Sequence, residues 1–217
     1  MRLITFNTSI EFICFLAALT FLIKVKDGAW KLLIPYLLLA FSIETAGLYL
    51  RTHGISNLEL YNGFLILENL MISYFFFNLF KPYAVKVKWL IGWLGVFFTL
   101  YIIEIVYSDF KDFVSITASI MSVVFVLASL YFYYLKLKDE SYEPLISSAS
   151  FWWVSGSLFF YFGSTVCNLF FDYLKEYEVV QYNRSVRYVI FNILNVILYS
   201  SWIISFICKY RQKRFSH

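Results

Sequence analysis

Residues 113–135 read FVSITASIMSVVFVLASLYFYYL, and no charged side chain occurs in this stretch. A helix of about 20 apolar residues is long enough to cross the roughly 30 Å hydrocarbon layer of a bilayer. Lipid offers no partners to the backbone, and a helix satisfies all of its own N–H and C=O groups. The stretch therefore predicts a transmembrane helix.

Six further apolar stretches of similar length lie on both sides of it. The segments between them are short, which favours one compact bundle over separate soluble domains. We therefore expect an all-α integral membrane protein, with residues 1–217 forming a single transmembrane domain of seven helices. The predicted helices are residues 4–23, 32–50, 60–80, 89–107, 113–135, 145–171 and 188–208.

The overall composition agrees with this fold class. The chain of 217 residues is 61% hydrophobic and 15% charged, whereas soluble domains are about 45–50% apolar and about 25% charged. This excludes a soluble enzyme, a nucleic-acid-binding domain and a disulfide-stapled secreted module. The expected partners are the lipid bilayer, an unknown small ligand and a membrane or cytoplasmic signalling protein, but no nucleic acid.

The distribution of Lys and Arg predicts the orientation. Twelve of the 18 basic residues lie on one side of the predicted bundle and six on the other. Because Lys and Arg collect in cytoplasmic loops, we expect the N-terminus outside and the C-terminus in the cytoplasm. The twelve include Lys24, Lys86, Lys88, Lys209 and Lys213.

Four glutamates lie inside the predicted spans, which contain no Lys or Arg. A charge at the bilayer centre costs roughly 2.5–3.5 kcal/mol on insertion scales, so these groups must face the bundle, pair or stay protonated. All four fall in the outer half of their helices. They are Glu11, Glu44, Glu68 and Glu104.

Amides and hydroxyls accompany the glutamates at helical spacing. The spacing places them on facing stripes, which predicts an outward-opening pocket for a small ligand or protons. The alternative is that these groups only hold the helices together through hydrogen bonds. The predicted pocket contains Glu11, Glu44, Glu68, Asn69, Glu104, Ser164, Asn168, Asn192 and Asn195, with Arg51, Arg184 and Arg187 at its mouth.

The sequence contains no recognisable catalytic motif. A zinc-dependent membrane hydrolase needs several His and Asp ligands near the metal, whereas His53 is the only histidine before the last residue and no Asp lies inside a predicted span. No GxSxG or HExxH motif occurs, and residues 188–208 lack the lysine that a retinal protein needs. We therefore expect no enzymatic activity, no metal and no cofactor.

The two halves of the chain are compatible with a three-plus-one-plus-three repeat. Aligning Phe64–Glu68 with Phe191–Asn195 places Glu68 over Asn195 in the third helix of each half. Parallel repeats of this kind occur in some transporter folds, where the substrate lies between the halves.

Four features of the sequence are distinctive: WKLLIPY at 30–36, Glu44 with Gly47 and Tyr49, residues 60–62 before Glu68, and FWW at 151–153. Together they resemble small seven-helix integral membrane proteins common in Bacteroidota. The resemblance implies a bacterial inner (cytoplasmic) membrane and a partnership with sensor kinases.

Three functions remain open at the level of sequence. The first is a receptor-like or accessory signalling module, which binds a ligand from outside and acts through a partner protein. The second is a small-solute or proton-coupled transporter with the three-plus-one-plus-three topology. The third is an intramembrane lipid-modifying enzyme.

Overall fold

The computed structural model describes residues 5–83, 86–108, 112–139, 144–170, 178–179 and 184–215. Single-turn 3-10 helices cover Lys81–Tyr83 and Leu145–Ser147, and two-residue strands, β1 (Glu178–Val179) and β2 (Arg184–Ser185), pair antiparallel. Otherwise the described chain is helical. Its helices are α1 (Phe6–Leu22), α2 (Gly28–Thr52), α3 (Leu58–Phe80), α4 (Val87–Tyr107), α5 (Ser115–Lys138), α6 (Ala149–Leu169) and α7 (Val186–Phe215).

Five of the helices are long and apolar enough to cross a membrane, namely α2, α3, α4, α5 and α7. Helix α1 is apolar but has only 17 residues. Helix α6 has 21 residues, and its Ser, Trp and Tyr side chains lower its hydropathy. The expected helical membrane bundle is confirmed at this level, with the small β1–β2 hairpin as an addition that the sequence did not indicate.

The helices are arranged as a ring in chain order. Each of α1, α2 and α3 packs against the next, α5 packs against α6 and α6 against α7, and α7 closes the ring against α1. Helix α3 contacts both α4 and α5. Helix α4 is peripheral, since Phe97 and Tyr101 are its only buried residues. We call the end where α1 begins the N-terminal end of the bundle, and the end where α7 stops the C-terminal end.

Three helix boundaries differ from the sequence prediction by four residues or more, and at one of them α6 begins at Ala149 instead of residue 145, because Leu145–Ser147 form a separate 3-10 turn. Helix α2 begins at Gly28 instead of residue 32, because the Asp27 side chain caps it by accepting a hydrogen bond from the Ala29 N–H at 3.1 Å. Pro35 therefore lies inside the helix, where the sequence placed it in the first turn. Helix α7 continues to Phe215 instead of ending at residue 208, because its basic residues extend the helix beyond the apolar segment.

Aromatic rings fill the centre of the bundle. The rings of Trp153 on α6 and Trp202 on α7 stack with their centroids 5.4 Å apart, and Phe75 on α3 lies 4.2 Å from Trp153. Phe76 and Phe125 extend the same group from α3 and α5. We call these five residues the aromatic cluster; each is at most 3% exposed.

Polar contacts join α7 to the first connection at the C-terminal end. Lys209 Nζ lies 3.1 Å from Asp27 Oδ2, and the same ammonium group sits 5.0 Å from the centroid of the Trp30 ring. Lys213 donates to the Lys24 carbonyl oxygen, and Gln212 donates to the Ser147 carbonyl at 3.3 Å. These contacts fix the end of α7 against the starts of α2 and α6.

Candidate functional site

A cavity of about 1090 Å³ lies at the N-terminal end of the bundle, between α3, α5, α6 and α7. The starts of α3, α5 and α7 and the end of α6 meet there, so its wall is built from residues near helix ends and from the connection before α5. We call it the carboxylate cavity. Its lining residues are Leu58, Tyr61, Phe64, Leu65, Glu68, Asp112, Phe113, Ser115, Ile116, Ser119, Ile120, Asn168, Tyr188 and Phe191.

Glu68 is the deepest charged residue of this wall. It lies in the middle of α3, and its Oε1 accepts a hydrogen bond of 2.8 Å from the Tyr161 hydroxyl on α6. Tyr161 is 3% exposed, whereas Glu68 is only half-buried. Since Glu68 lines the cavity, this remaining exposure is surface that a molecule in the cavity can touch.

Glu44 makes a similar pair nearer the end of the bundle. Its Oε2 accepts a hydrogen bond of 3.0 Å from the Tyr61 hydroxyl, which joins α2 to α3. Gly47 makes this contact possible, because a Cβ at that position would lie 2.5 Å from the Tyr61 oxygen. The Tyr61 ring therefore packs against bare α2 backbone and also forms part of the cavity wall.

Glu11 forms the third carboxylate–tyrosine pair. Its Oε1 accepts a hydrogen bond of 3.2 Å from the Tyr199 hydroxyl, which joins α1 to α7. Glu11 is 7% exposed, and its Oε2 is a buried oxygen with no hydrogen-bond partner in the described part of the chain. A buried polar atom without a partner is costly, so this oxygen is a candidate position for a proton or a ligand atom.

Tyr36 lies near two of these pairs. It is buried on α2 and lies close enough to both Glu11 and Glu68 for electrostatic interaction. Its ring also stacks on Phe64, with a centroid distance of 6.2 Å. The structure thus brings Glu11, Glu44 and Glu68 into one polar region, of which Glu68 faces the cavity.

Glu104 lies apart from this region and has a different role. Its two carboxylate oxygens accept hydrogen bonds from the N–H groups of Ile116 and Thr117 at 2.8 and 2.7 Å, and from the Thr117 hydroxyl at 2.7 Å. Ile116 and Thr117 belong to the first turn of α5, whose N–H groups have no partners within the helix. Glu104 therefore caps α5 from α4, and it is not among the residues that line the carboxylate cavity, although its partner Ile116 is.

The predicted amides and hydroxyls divide between the cavity and other contacts. Asn168 lines the cavity and donates a hydrogen bond of 3.2 Å to Ser119. Asn192 donates to the Tyr188 carbonyl at 2.8 Å, within α7. Ser164 and Asn195 are half-buried on α6 and α7, one turn from Tyr161 and Tyr199 respectively.

Asn69 faces away from the carboxylate cavity. It is fully buried, and its Oδ1 accepts hydrogen bonds from Trp93 Nε1 at 3.2 Å and from the Ser73 hydroxyl at 3.4 Å. Ser73 and Trp93 both line a second cavity on the other side of the aromatic cluster. The structure therefore separates Asn69 from the other members of the predicted pocket.

The arginines predicted at the mouth are only partly described. Arg51 is exposed in the last turn of α2. Arg184 belongs to β2 and Arg187 to the first turn of α7, but their side chains lie outside the described residues.

The second cavity, of about 730 Å³, lies between α3, α4 and α5 towards the C-terminal end. It is mainly aromatic, and two lysines lie at its edge. We call it the lysine groove. Its lining residues are Ser73, Phe76, Phe77, Phe80, Tyr83, Lys86, Lys88, Trp89, Leu90, Trp93, Val124, Phe125, Ala128 and Tyr131.

The aromatic cluster lies between the two cavities. Tyr161, which holds Glu68, contacts Phe125 with a centroid distance of 4.8 Å, and Phe125 also lines the lysine groove. Phe76, another member of the aromatic cluster, also lines the lysine groove. The cluster is thus linked to the carboxylate cavity through Tyr161 and Glu68, while none of its five members lines that cavity.

Comparison with known proteins adds no relative: no protein-family model matches the chain, and neither a curated protein nor a solved structure matches it. The site is therefore interpreted from its own geometry. Among the residues that the structure describes, no three His, Cys, Asp or Glu side chains gather into a group that could hold a metal ion.

Sequence reasoning missed the aromatic part of the cavity wall. The chain contains 18 Tyr and 25 Phe residues, so an aromatic side chain at a helix end carries little information by itself. Tyr61 could have been predicted as part of the wall, since it lies close in sequence to Glu68 and next to the polar stripe. Phe64, Phe113, Tyr188 and Phe191 had none.

Proposed function

We propose that this protein is a receptor-like or accessory signalling module of the membrane, which binds a small ligand in the carboxylate cavity and acts through a partner protein. The observation that carries the proposal is Glu68, a carboxylate held by Tyr161 and still partly exposed on the wall of a cavity of about 1090 Å³. A group that served only to join α3 to α6 would gain nothing from bordering such a cavity.

The position of Glu68 supports a binding function. A ligand that enters from the N-terminal end meets this carboxylate, whose partner Tyr161 packs against Phe125 of the aromatic cluster. The excess of Lys and Arg at the other end favours the outward orientation of the cavity. A pocket that opens outward and carries a carboxylate in its wall suits a site that detects a solute.

Helix α7 supports action through a partner. Tyr188 and Phe191 near its start line the cavity, and Lys209 near its other end pairs with Asp27. One helix thus joins the ligand site to the C-terminal end, where a partner protein would contact the predicted cytoplasmic surface.

Thiol labelling tests this proposal. With Cys14, Cys167 and Cys208 replaced, a single cysteine is introduced as Ser119→Cys, which lines the cavity. Ser129→Cys is the matched control, because it lies on the same helix and is 0% exposed. A membrane-impermeant methanethiosulfonate reagent is then applied to each face of oriented vesicles.

We expect Ser119→Cys to react from the outside only, while Ser129→Cys reacts from neither side. Absence of labelling at Ser119→Cys would overturn the proposal, because the cavity would then be closed to solutes. Labelling from both sides would also overturn it, in favour of a transporter.

A small-solute or proton-coupled transporter is the second candidate, and the ring arrangement favours it. The neighbours α1–α2 and α2–α3 in the first half correspond to α5–α6 and α6–α7 in the second half, while α4 lies outside. This is the packing that a three-plus-one-plus-three repeat would give.

A further inference from the structure

The chemistry of the carboxylate cavity indicates which ligand it accepts. Two acidic side chains, Glu68 and Asp112, belong to its wall, and among the described lining residues there is no Lys, Arg or His. A concave site with walls of low polarity concentrates the field of its charges. The described wall therefore favours a cation.

Aromatic rings form the second part of the wall. Two tyrosines and three phenylalanines line the cavity, contributed by α3, α7 and the connection before α5. The face of an aromatic ring attracts a cation, and quaternary ammonium ligands are typically held by several such rings. These five residues are Tyr61, Phe64, Phe113, Tyr188 and Phe191.

The arrangement distinguishes an organic ammonium from a bare metal ion. Ca²⁺ takes six to eight oxygen ligands at 2.3–2.6 Å, and the described residues contain no cluster of that kind. Glu68 also has one oxygen engaged with Tyr161. A methylated ammonium needs only one nearby carboxylate, because rings replace water around its methyl groups.

Resting on the proposed function, we propose that the carboxylate cavity binds a small organic cation with a quaternary ammonium group, which pairs with Glu68 and is surrounded by the aromatic residues of the wall.

Binding is measured on the full chain, purified in a maltoside detergent that contains no choline head groups. Choline is the probe, and 3,3-dimethyl-1-butanol is its neutral control of the same shape. Sodium chloride at equal ionic strength controls for salt. We expect choline to raise the melting temperature in a saturable manner and the neutral alcohol to leave it unchanged.

Variants of α3 locate the site. We expect Glu68→Gln to weaken choline binding by about tenfold or more, since the charge of the ion pair is lost. Glu59→Gln is the matched control, because Glu59 lies on the same helix and is exposed, and choline affinity is expected to stay unchanged. Tyr188→Leu removes an exposed ring of the cavity wall and serves if Glu68→Gln does not fold; we expect it to weaken choline binding.

Other results would overturn the inference. Equal responses to choline and to the neutral alcohol would do so, as would unchanged choline affinity in Glu68→Gln or, where that variant does not fold, in Tyr188→Leu. The thiol experiment separates this failure from failure of the proposed function. If Ser119→Cys is labelled from outside while choline has no effect, only the ligand class is wrong.

Discussion

The carboxylate cavity and the lysine groove are two aromatic-walled spaces at opposite ends of one bundle. They differ in charge: Glu68 and Asp112 lie on the wall of the first, and Lys86 and Lys88 lie at the edge of the second. They also differ in what surrounds them, since the groove borders α4, the least buried helix. The two spaces therefore share the aromatic character of their walls and differ in the sign of the charge on them.

The largest effect is expected from the aromatic cluster, two of whose members line the lysine groove. Trp153→Ala removes a ring that is 0% exposed and contacts Phe75, Phe76 and Trp202. We expect a loss of about 3–5 kcal/mol in the free energy of unfolding, measured by denaturation in mixed micelles. Trp89→Ala is the control, because Trp89 is 70% exposed. Similar losses of unfolding free energy in both variants would show that Trp153 does not stabilise the aromatic cluster.

A smaller effect is expected where α6 meets α7. A Cβ at Gly156 would lie 2.7 Å from the Ser201 Cβ and 3.1 Å from the Leu198 carbonyl oxygen. Gly156→Ala should therefore cost about 1–3 kcal/mol of unfolding free energy through overpacking. Gly92→Ala has nothing within 4 Å and should unfold at or above the wild-type denaturant concentration. Equal stability of the two variants would argue against this close helix contact.

The next prediction separates Glu104 from the cavity glutamates. Glu104→Ala removes the acceptor for the first turn of α5 and should cost about 1–2 kcal/mol. Choline affinity should stay at the wild-type value, because Glu104 does not line the carboxylate cavity. Isothermal titration of Glu104→Ala beside Glu68→Gln checks this. A loss of choline binding in Glu104→Ala would contradict this prediction, because it would show that the Glu104 cap of α5 contributes to ligand binding in the carboxylate cavity.

The smallest effect is expected at the lysine groove. The double variant Lys86→Gln with Lys88→Gln should lose about 1 kcal/mol of stabilisation by anionic lipid for each lysine. The measurement is the melting temperature in nanodiscs with and without anionic lipid. Choline affinity should not change, since the groove lies beyond the aromatic cluster. A change in choline affinity would mean that the two spaces are electrostatically coupled.

The sequence identified the helices and the polar residues, because both have strong local signals. Apolar stretches of membrane length predicted all seven helices, and three of the four glutamates lie in one polar region of the structure. Their tyrosine partners are distant in the chain: Tyr161 and Glu68 are separated by 93 positions, and Tyr199 and Glu11 by 188. The spacing of residues along the sequence does not predict contacts between positions so far apart.

The cap of Glu104 and the continuation of α7 were missed for a different reason. Glu104 appeared to be an intramembrane charge because α4 is apolar on both sides of it, while its partners are backbone groups that any sequence supplies. Hydropathy locates the part of a helix that lies in lipid. It does not show where the helix itself ends, so the predicted end of α7 at residue 208 lies seven residues before its end at Phe215.

The length of α7 has a mechanical consequence. Its 30 residues correspond to about 45 Å at 1.5 Å per residue, more than the thickness of the hydrocarbon layer. The helix is continuous between Phe191 and Lys209. Because α7 is one continuous helix packed against α6, a small tilt of the end that lines the carboxylate cavity displaces its opposite end. That displacement would change the distance between Lys209 and Asp27.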